Sequence, residues 1–217
     1  MDFSLLRNKM VKTQLIPRGI KDEAVLEAMR TVPRELFVDE QVGDLAYIDG
    51  PLGIDCGQTI SQPYIVALMA ELLELDDSKT VLEIGTGSGY AAAVLSQIAK
   101  EVYTVERHAS LAQQAEECFF SLGYDNIYVS VCDGTLGWPD FAPYDSILVS
   151  AAAPTIPESL KSQLKVGGVL VIPLGNMLAG QWLLYVKKKA PNSFRRTKIC
   201  PVRFVPLIGE DGWKDRD

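Results

Sequence analysis

The chain has 217 residues, of which 47% are apolar and 23% are charged, and this composition is typical of a globular protein rather than of a disordered one. Its formal net charge of -7 disfavours a nucleic-acid-binding protein, which usually carries a basic patch or a basic balance. We also expect no secretory signal and no membrane span, because the N-terminus has no basic region followed by an apolar one and the apolar runs are far shorter than about 20 residues.

The first 60 residues are predicted to be helical at first and irregular afterwards. A helix is expected over residues 2–15, and the segment Ile16-Pro17-Arg18-Gly19 breaks it. Asp22 stands where an N-cap belongs for a second helix, which is expected to end before Val32. Residues 34–60 contain many glycines and other turn formers, so we expect short strands and loops there.

From residue 63 onward, short apolar strands alternate with helices. Pro63 suits the first turn of a helix that should run to about Leu75, because its missing N–H costs nothing at that position. Further helices are predicted over residues 90–99 and 109–122, and strands over residues 81–84, 102–105, 127–131, 144–150, 169–173, 182–187 and 200–207. This alternation predicts a doubly wound α/β fold, in which helices cover both faces of a mostly parallel sheet. No helix is evident between the late strands, so an antiparallel hairpin is expected at one edge.

Residues 81–89 read Val-Leu-Glu-Ile-Gly-Thr-Gly-Ser-Gly, an apolar strand that leads into three glycines and then a helix. Glycine lets the backbone approach a ligand, and the helix N-terminus supplies free N–H groups. A dinucleotide site would show GxGxxG, but Tyr90 stands where its last glycine belongs, and the lysine of a P-loop is missing. The GxGxG spacing after a strand that carries Glu83 is typical of S-adenosylmethionine (AdoMet) methyltransferases. A purely structural turn remains the alternative.

Two acidic residues follow the next two strands. Glu106 comes 21 residues after Gly85, near the offset at which an acidic side chain accepts hydrogen bonds from ribose hydroxyls. The alternative is a surface glutamate paired with Arg107. Asp133 and Gly134 suit an adenine amino group and a tight turn, with an ordinary Asx turn as the alternative. Because ligands of open α/β sheets bind at the carboxyl ends of the strands, we expect these elements to form one site.

The four cysteines and the single histidine indicate no metal site and no disulfide framework. The cysteines are widely spaced, without a CxxC pair, so we expect reduced and mostly buried thiols in a cytoplasmic protein. His108 is interpreted as an incidental surface residue, and Trp138 and Trp213 as packing or rim residues.

Further motifs lie outside the cofactor loop. The most specific is Gly57-Gln58-Thr59-Ile60-Ser61-Gln62-Pro63-Tyr64, which generic methyltransferases lack. The others are Val32-Pro33-Arg34 with Phe37, Ala46-Tyr47 with Asp49, Val105-Glu106-Arg107, Asp133-Gly134-Thr135, Gly137-Trp138-Pro139, Ala142-Pro143-Tyr144-Asp145, Gly167-Gly168 and Val202-Arg203-Phe204-Val205-Pro206-Leu207. With residues 81–89, this pattern resembles the protein-L-isoaspartate O-methyltransferases over nearly the whole chain.

The resemblance implies a seven-stranded, Rossmann-like AdoMet methyltransferase sheet in a single domain over residues 1–217. Residues 1–62 would form an N-terminal extension beside the substrate cleft, and residues 63–217 the AdoMet-binding core. The implied reaction transfers the AdoMet methyl group to the α-carboxylate of L-isoaspartyl residues in damaged proteins and leaves S-adenosyl-L-homocysteine. The ester then closes to a succinimide, which reopens partly to aspartate. The expected partners are isoaspartyl-containing proteins and peptides, and the expected state is a monomer.

Ser61 is the candidate catalytic residue, because its hydroxyl can hold the substrate carboxylate beside the N-terminus of the Pro63 helix. The alternative is that Ser61 or Thr59 merely caps that helix. A carboxylate with a pKa of about 4 is already ionised at neutral pH and needs no general base. The cofactor-binding residues that the resemblance and the motifs imply are Thr59, Ile60, Ser61, Glu83, Gly85, Thr86, Gly87, Ser88, Gly89, Glu106, Arg107, Asp133 and Gly134.

The chain departs from the family's pattern at two places that we expect near the substrate cleft. Glu35 stands where bacterial members commonly have histidine, and Gly53-Ile54-Asp55-Cys56 replaces Pro-Ile-Gly. An AdoMet-dependent carboxyl methyltransferase with another acceptor is therefore the alternative function. An NAD(P)-dependent oxidoreductase is disfavoured by Tyr90, and a non-catalytic AdoMet-binding module by the intact Ser61 element. Arg203 could meet a substrate carbonyl or carboxylate, or form a structural ion pair.

Overall fold

The computed structural model of the chain describes residues 2–176 and 178–215. Its α-helices within this part are α1 (Phe3–Met10), α2 (Glu23–Thr31), α3 (Pro63–Leu72), α4 (Tyr90–Ser96), α5 (Ala109–Leu122) and α6 (Glu158–Gln163). Its strands are β1 (Leu52–Gly53), β2 (Thr59–Ile60), β3 (Thr80–Ile84), β4 (Glu101–Glu106), β5 (Ile127–Val131), β6 (Tyr144–Val149), β7 (Leu164–Asn176), β8 (Gly180–Ala190) and β9 (Ser193–Val202).

A seven-stranded sheet organises the molecule, in the order β5-β4-β3-β6-β7-β8-β9. The pairs from β5 across to β7 are parallel, whereas β7, β8 and β9 pair antiparallel. The predicted α/β class, the mostly parallel sheet and the antiparallel edge are therefore confirmed. Strands β1 and β2 form a separate two-stranded antiparallel ribbon.

The two faces of the sheet bury different side chains of the same strands. Val81 of β3 packs with the helices that include α2, α3 and α4, whereas Leu82 and Ile84 pack on the opposite face with Leu160 of α6. Because both faces are covered, β3 buries side chains on each of them, as parallel strands usually do, and Glu83 is its buried charged exception.

Local signals set several element boundaries as predicted. The carboxylate of Asp22 accepts hydrogen bonds from the N–H groups of Ala24 and Val25, so it is the N-cap of α2. Helix α3 begins at Pro63 but ends at Leu72, three residues before the predicted end. Helix α1 continues through a π-helical turn and a short 3-10 turn as far as Arg18, so the break comes slightly later than expected.

The last strand was predicted in the wrong place. Strand β9 covers Ser193–Val202, whereas the prediction was residues 200–207. The strand is polar because it lies at the edge of the sheet, where much of it is exposed, so it lacks the apolar signature of a central strand. The apolar residues that follow it cross back to the end of β6, where the N–H of Leu207 donates to the carbonyl of Ala152 at 2.9 Å. Helix α6 also carries no strong sequence signal and was not predicted.

Among the described residues, no helix is long and apolar enough to cross a membrane. A search of the same residues finds no group of three or more His, Cys, Asp or Glu side chains arranged to hold a metal ion.

Candidate active site

A cleft of about 950 Å³ opens at the carboxyl ends of β3, β4 and β6. From β3 the chain passes to β4 on one side, while β6 lies on the other side, so the strand order reverses at this point. Such a reversal leaves a crevice in which ligands of open α/β sheets bind. All but two of the predicted site residues line this cleft; the exceptions are Gly89 and Asp133.

The glycine loop is bound to the end of β4 by its own backbone. The N–H of Gly85 donates to the carbonyl of Val105 at 2.8 Å, and the N–H of Gly87 donates to Oε2 of Glu106 at 2.9 Å. The backbone of the loop thereby faces the cleft, and Thr86 and Ser88 line it as well.

Gly89 is glycine for a packing reason. Its φ of +88° lies in the left-handed region, and an added Cβ would stand 2.7 Å from the Phe119 ring of α5. Gly89 therefore lets α4 begin directly against α5 and does not face the cleft. Its expected role in cofactor binding stays a prediction, and the contact with Phe119 gives it a role in shaping the loop.

Glu106 is a buried carboxylate rather than a surface glutamate. The residue is only 5% exposed. Its Oε1 accepts hydrogen bonds from the N–H groups of Arg107 and His108, at 2.8 and 3.0 Å, and Oε2 keeps capacity for a further donor beside Gly87. The guanidinium of Arg107 pairs with Asp215 and not with Glu106, so the alternative of a Glu106–Arg107 surface pair is wrong.

Glu83 contributes a fully buried carboxyl group to the floor of the cleft. Its Oε2 accepts a hydrogen bond from the Thr104 hydroxyl at 2.7 Å, whereas Oε1 is buried without a partner among the described residues. Burial raises the pKa of Glu83 to about 8, against the opposing hydrogen bond from Thr104, and the nearby charge of Glu106 raises it further. This cleft therefore holds a buried carboxyl group for which the described part of the chain provides no counter-ion.

Asp133 is not among the residues that line the cleft, and its carboxylate is held by neighbouring donors. Its Oδ1 accepts from the N–H and hydroxyl of Thr135, at 2.8 and 2.7 Å, and its Oδ2 accepts from the N–H of Glu210 at 2.7 Å. Burial alone would raise the pKa of Asp133, but these hydrogen bonds outweigh it and lower the pKa. The side chain thus forms a turn that anchors the C-terminal segment, and the expected contact with an adenine amino group stays a prediction. Gly134 does line the cleft, and an added Cβ there would stand 2.5 Å from Ile84.

The Ser61 element forms the opposite wall. Thr59 and Ile60 make up β2, and Ser61 follows it into the cleft. Neither Ser61 nor Thr59 caps α3, because the N-cap is Gln62 and no side chain there bonds the helix N-terminus. Within the described residues the Ser61 hydroxyl has no hydrogen-bond partner, so it is available to a ligand.

Residues near the C-terminus supply a wall that the sequence did not predict. The cleft is also lined by residues 205–208 and 213–215 and by the tip of the β7–β8 hairpin, including Leu178. The indole N–H of Trp213 donates to the carbonyl of Ala152 at 2.9 Å, so Trp213 is part of the cleft and not only a rim residue. His108 lines the cleft as well, whereas Trp138 packs in an aromatic cluster with Tyr103 and Phe141.

The two departures from the family's pattern lie in different surroundings. Glu35 is bound to Arg7 and Tyr47 in the N-terminal region and is not among the residues that line the cleft, so its expected place near the substrate stays a prediction. Cys56 does line the cleft, with a φ of +55°, and Asp55 just before it accepts a hydrogen bond from Gln114 of α5.

Two further expectations concern single side chains. The cysteines are free, but Cys56 and Cys132 are exposed and the other two are half-buried, contrary to the expectation of mostly buried thiols. Arg203 is exposed and does not line the cleft.

Comparison with known proteins identifies relatives along almost the entire chain. A model of the family described as Protein-L-isoaspartate(D-aspartate) O-methyltransferase (PCMT) matches residues 6–212. The chain is 58% identical over 207 residues to Protein-L-isoaspartate O-methyltransferase 2 of Pelobacter propionicus, covering 95% of this chain and 92% of the relative. It is also 58% identical to Protein-L-isoaspartate O-methyltransferase 1 of Geotalea uraniireducens, covering 95% and 94%.

Solved structures agree with this similarity. A protein-L-isoaspartate O-methyltransferase aligns with a TM-score of 0.87 and 33% identity, over 95% of this chain and 67% of the other. A Plasmodium falciparum protein described as a putative protein-L-isoaspartate O-methyltransferase, in complex with S-adenosyl-L-homocysteine, aligns with a TM-score of 0.79 and 25% identity, over 93% and 98%.

Proposed function

The chain belongs to the protein-L-isoaspartate(D-aspartate) O-methyltransferase family, and on that premise we propose that it methylates the α-carboxylate of L-isoaspartyl residues in damaged proteins with AdoMet as methyl donor. The observation that carries the proposal is the cleft itself. It joins a glycine loop and two buried glutamates on one wall to the free hydroxyl of Ser61 on the other.

The wall formed by β3, β4 and the glycine loop fits AdoMet. AdoMet, when bound, supplies a methyl group on a positively charged sulfur. Oε2 of Glu106 would accept a hydrogen bond from a ribose hydroxyl, and the backbone of residues 85–88 would lie against the ligand. The orphan Oε1 of Glu83 offers an acceptor to a cationic group in the cleft. Thr59, Ile60, Arg107 and Gly134 complete the surface that we assign to the cofactor.

The wall formed by the Ser61 element would hold the substrate. The Ser61 hydroxyl can donate one hydrogen bond to a carboxylate, and nothing among the described residues competes for it. The α-carboxylate is ionised at neutral pH, so it can attack a methyl group without a general base. Catalysis then depends on holding the two reactants in line, an effect that reaches effective molarities of about 10⁵ M or more.

The product explains the connection to repair. The carbonyl of a methyl ester is far more reactive towards a nucleophile than a carboxylate, so the neighbouring backbone nitrogen attacks it, expels methanol and closes a succinimide. Water then opens this ring partly to aspartate. The protein therefore needs only to bind and align its two reactants and to release the methylated product.

An assay with two matched peptides tests this function. The protein is incubated with labelled AdoMet and a peptide that contains either isoaspartate or aspartate at one position. Base-labile label on the isoaspartyl peptide alone is the expected result. Label on neither peptide, from a protein that binds AdoMet, would contradict the proposal, and label on another acceptor would favour a different carboxyl methyltransferase.

The variant Ser61→Ala tests the residue that we place at the substrate. Because Ser61 caps no helix, we expect unchanged unfolding and AdoMet affinity, with turnover at least tenfold lower. The control is Ser162→Ala on α6, whose hydroxyl bonds only the carbonyl of Ser159. Turnover of Ser61→Ala equal to that of the control would remove Ser61 from the mechanism.

We also propose that the chain is a single-domain, monomeric, cytoplasmic enzyme, with residues 1–62 beside the substrate cleft and residues 63–217 as the AdoMet-binding core. The four free thiols support a reducing compartment. The basic edge strand β9, with Arg195 and Arg196, opposes edge-to-edge pairing of sheets. Light scattering of the purified protein tests the monomer, and a stable dimer would contradict it.

A further inference from the structure

Arg34 is a buried arginine that the proposed reaction does not yet use. It begins a short 3-10 turn over Arg34–Phe37, directly after Pro33. Its relative exposure is 0%, and it is among the largest fully buried side chains of the protein. Burial lowers the pKa of Arg34 to about 10, so the guanidinium still carries its charge at neutral pH.

The contacts of this guanidinium are all with neutral groups. Its Nε donates to the carbonyl of Ala46 at 2.7 Å, and Nη2 donates to the carbonyl of Ser61 at 2.8 Å. The guanidinium carbon lies 4.7 Å from the centroid of the Tyr90 ring, and Nη1 is buried without a partner. No carboxylate of the described residues lies within ion-pair distance of it. A buried charge without a counter-ion is costly, so a fold that retains one calls for a compensating anion.

The position of Arg34 gives the cleft two walls of opposite charge. The carboxylate of Glu106 lies on the wall assigned to the cationic cofactor, beside the carboxyl group of Glu83, which keeps its proton at neutral pH. Arg34 lies behind the opposite wall and is bound to the backbone of Ser61, the residue assigned to the substrate carboxylate. This polarity matches two reactants of opposite charge.

We propose that Arg34 is a positioning residue that holds the Ser61 backbone and supplies the counter-charge for the substrate α-carboxylate. This inference rests on the proposed function. Arg34 acts through Ser61 and does not itself line the cleft. It would make the site selective for an anionic acceptor over a neutral one of the same shape.

Lys188 provides a matched control. It is also buried, at 6% exposure, and its ammonium donates to two backbone carbonyls, those of Lys161 and Leu164. It lies on β8 and does not line the cleft. A purely structural role of a buried cation would therefore appear equally in Lys188→Met and in Arg34→Met.

The test compares two peptides that differ only at the isoaspartyl residue, one with the α-carboxylate and one with the α-carboxamide. Their affinities are measured by calorimetry on full-length protein saturated with S-adenosyl-L-homocysteine. We expect wild type and Lys188→Met to bind the acid at least tenfold more tightly than the amide. In Arg34→Met the ratio should fall close to one, while the affinity for S-adenosyl-L-homocysteine remains within about twofold of wild type.

The variant Arg34→Lys keeps the test decisive if Arg34→Met does not fold. A buried lysine has a lowered pKa, so its charge should be lost between pH 7 and 9, whereas arginine keeps its charge over this range. The preference for the acid should accordingly fall with rising pH in Arg34→Lys and stay constant in wild type. A pH-independent preference in Arg34→Lys, or a wild-type ratio in Arg34→Met, would overturn the inference.

A parallel methylation assay on wild type distinguishes a failure of the proposed function from a failure of the role assigned to Arg34. If wild type methylates the isoaspartyl peptide but the Arg34 variants keep its acid preference, only the role of Arg34 is wrong. If wild type does not methylate that peptide, both the proposed function and this inference are wrong.

Discussion

Replacing Glu83 by glutamine should make the protein's stability less sensitive to pH. The carboxyl group of Glu83 is fully buried, and its pKa is raised from 4.5 to about 8 by burial. Glutamine has nearly the same shape and keeps an oxygen for the hydrogen bond from Thr104. The substitution therefore removes the titration and leaves most of the packing.

The sign and size follow from proton linkage. Below pH 4.5 the carboxyl group is protonated in both states and contributes nothing. As the pH rises from there towards 8, the unfolded chain releases the proton but the folded chain does not, so the free energy of unfolding falls. At 1.36 kcal/mol per pKa unit, the loss is about 1 kcal/mol at pH 5 and about 3 kcal/mol at pH 7.

Urea unfolding of the ligand-free protein at pH 5, 6 and 7 measures this effect. The difference in unfolding free energy between Glu83→Gln and wild type should move in favour of the variant by about 2 kcal/mol across this range. Any constant cost of the amide cancels in this comparison. The exposed Glu116→Gln on α5 is the control and should show no such trend. A difference that does not change with pH would show that Glu83 titrates normally in the fold.

Three further predictions concern the loop and its anchors. Gly89→Ala should destabilise the protein by about 1–3 kcal/mol more than Gly123→Ala, because both positions have positive φ but only Gly89 meets a ring; equal urea midpoints would contradict this. Glu106→Gln should weaken AdoMet binding at least tenfold, as measured by calorimetry, because the group that accepts the ribose hydrogen bond loses its negative charge. An unchanged affinity would show that Glu106 does not bind the cofactor. Asp133→Asn should accelerate amide exchange at Glu210 by loosening the C-terminal segment, and unchanged exchange would refute the anchoring role.

The parts of the fold that were predictable are those in which one local rule decides the structure. Strands β3, β4 and β6 are largely buried and read as short apolar runs, and the edge strand β5 is mostly apolar as well, so β3 to β6 were placed closely. The glycine loop was predictable because glycines stand where the backbone needs a positive φ or must lie close to another group. Strand β9 escaped prediction because an exposed edge strand carries the same polar residues as a loop.

The parts of the site that were not predictable depend on contacts between distant segments. Nothing near Asp133 in the sequence indicates that its carboxylate binds the N–H of Glu210, 77 residues later. Arg34 reads as an ordinary charged residue of a turn, and its burial results from packing against Tyr90 and the backbone of Ser61. Ser61 itself was recognisable only because the motif around it is distinctive.

The cleft wall formed by residues 205–208 and 213–215 bears on how the protein matures on the ribosome. The backbone of Leu207 and the indole of Trp213 both bond the carbonyl of Ala152, at the end of β6. Contacts of such long sequence separation form late, because the loop between them must close first. The strands that carry the glycine loop can therefore pair before the pocket is complete, since the pocket also needs residues 205–208 and 213–215.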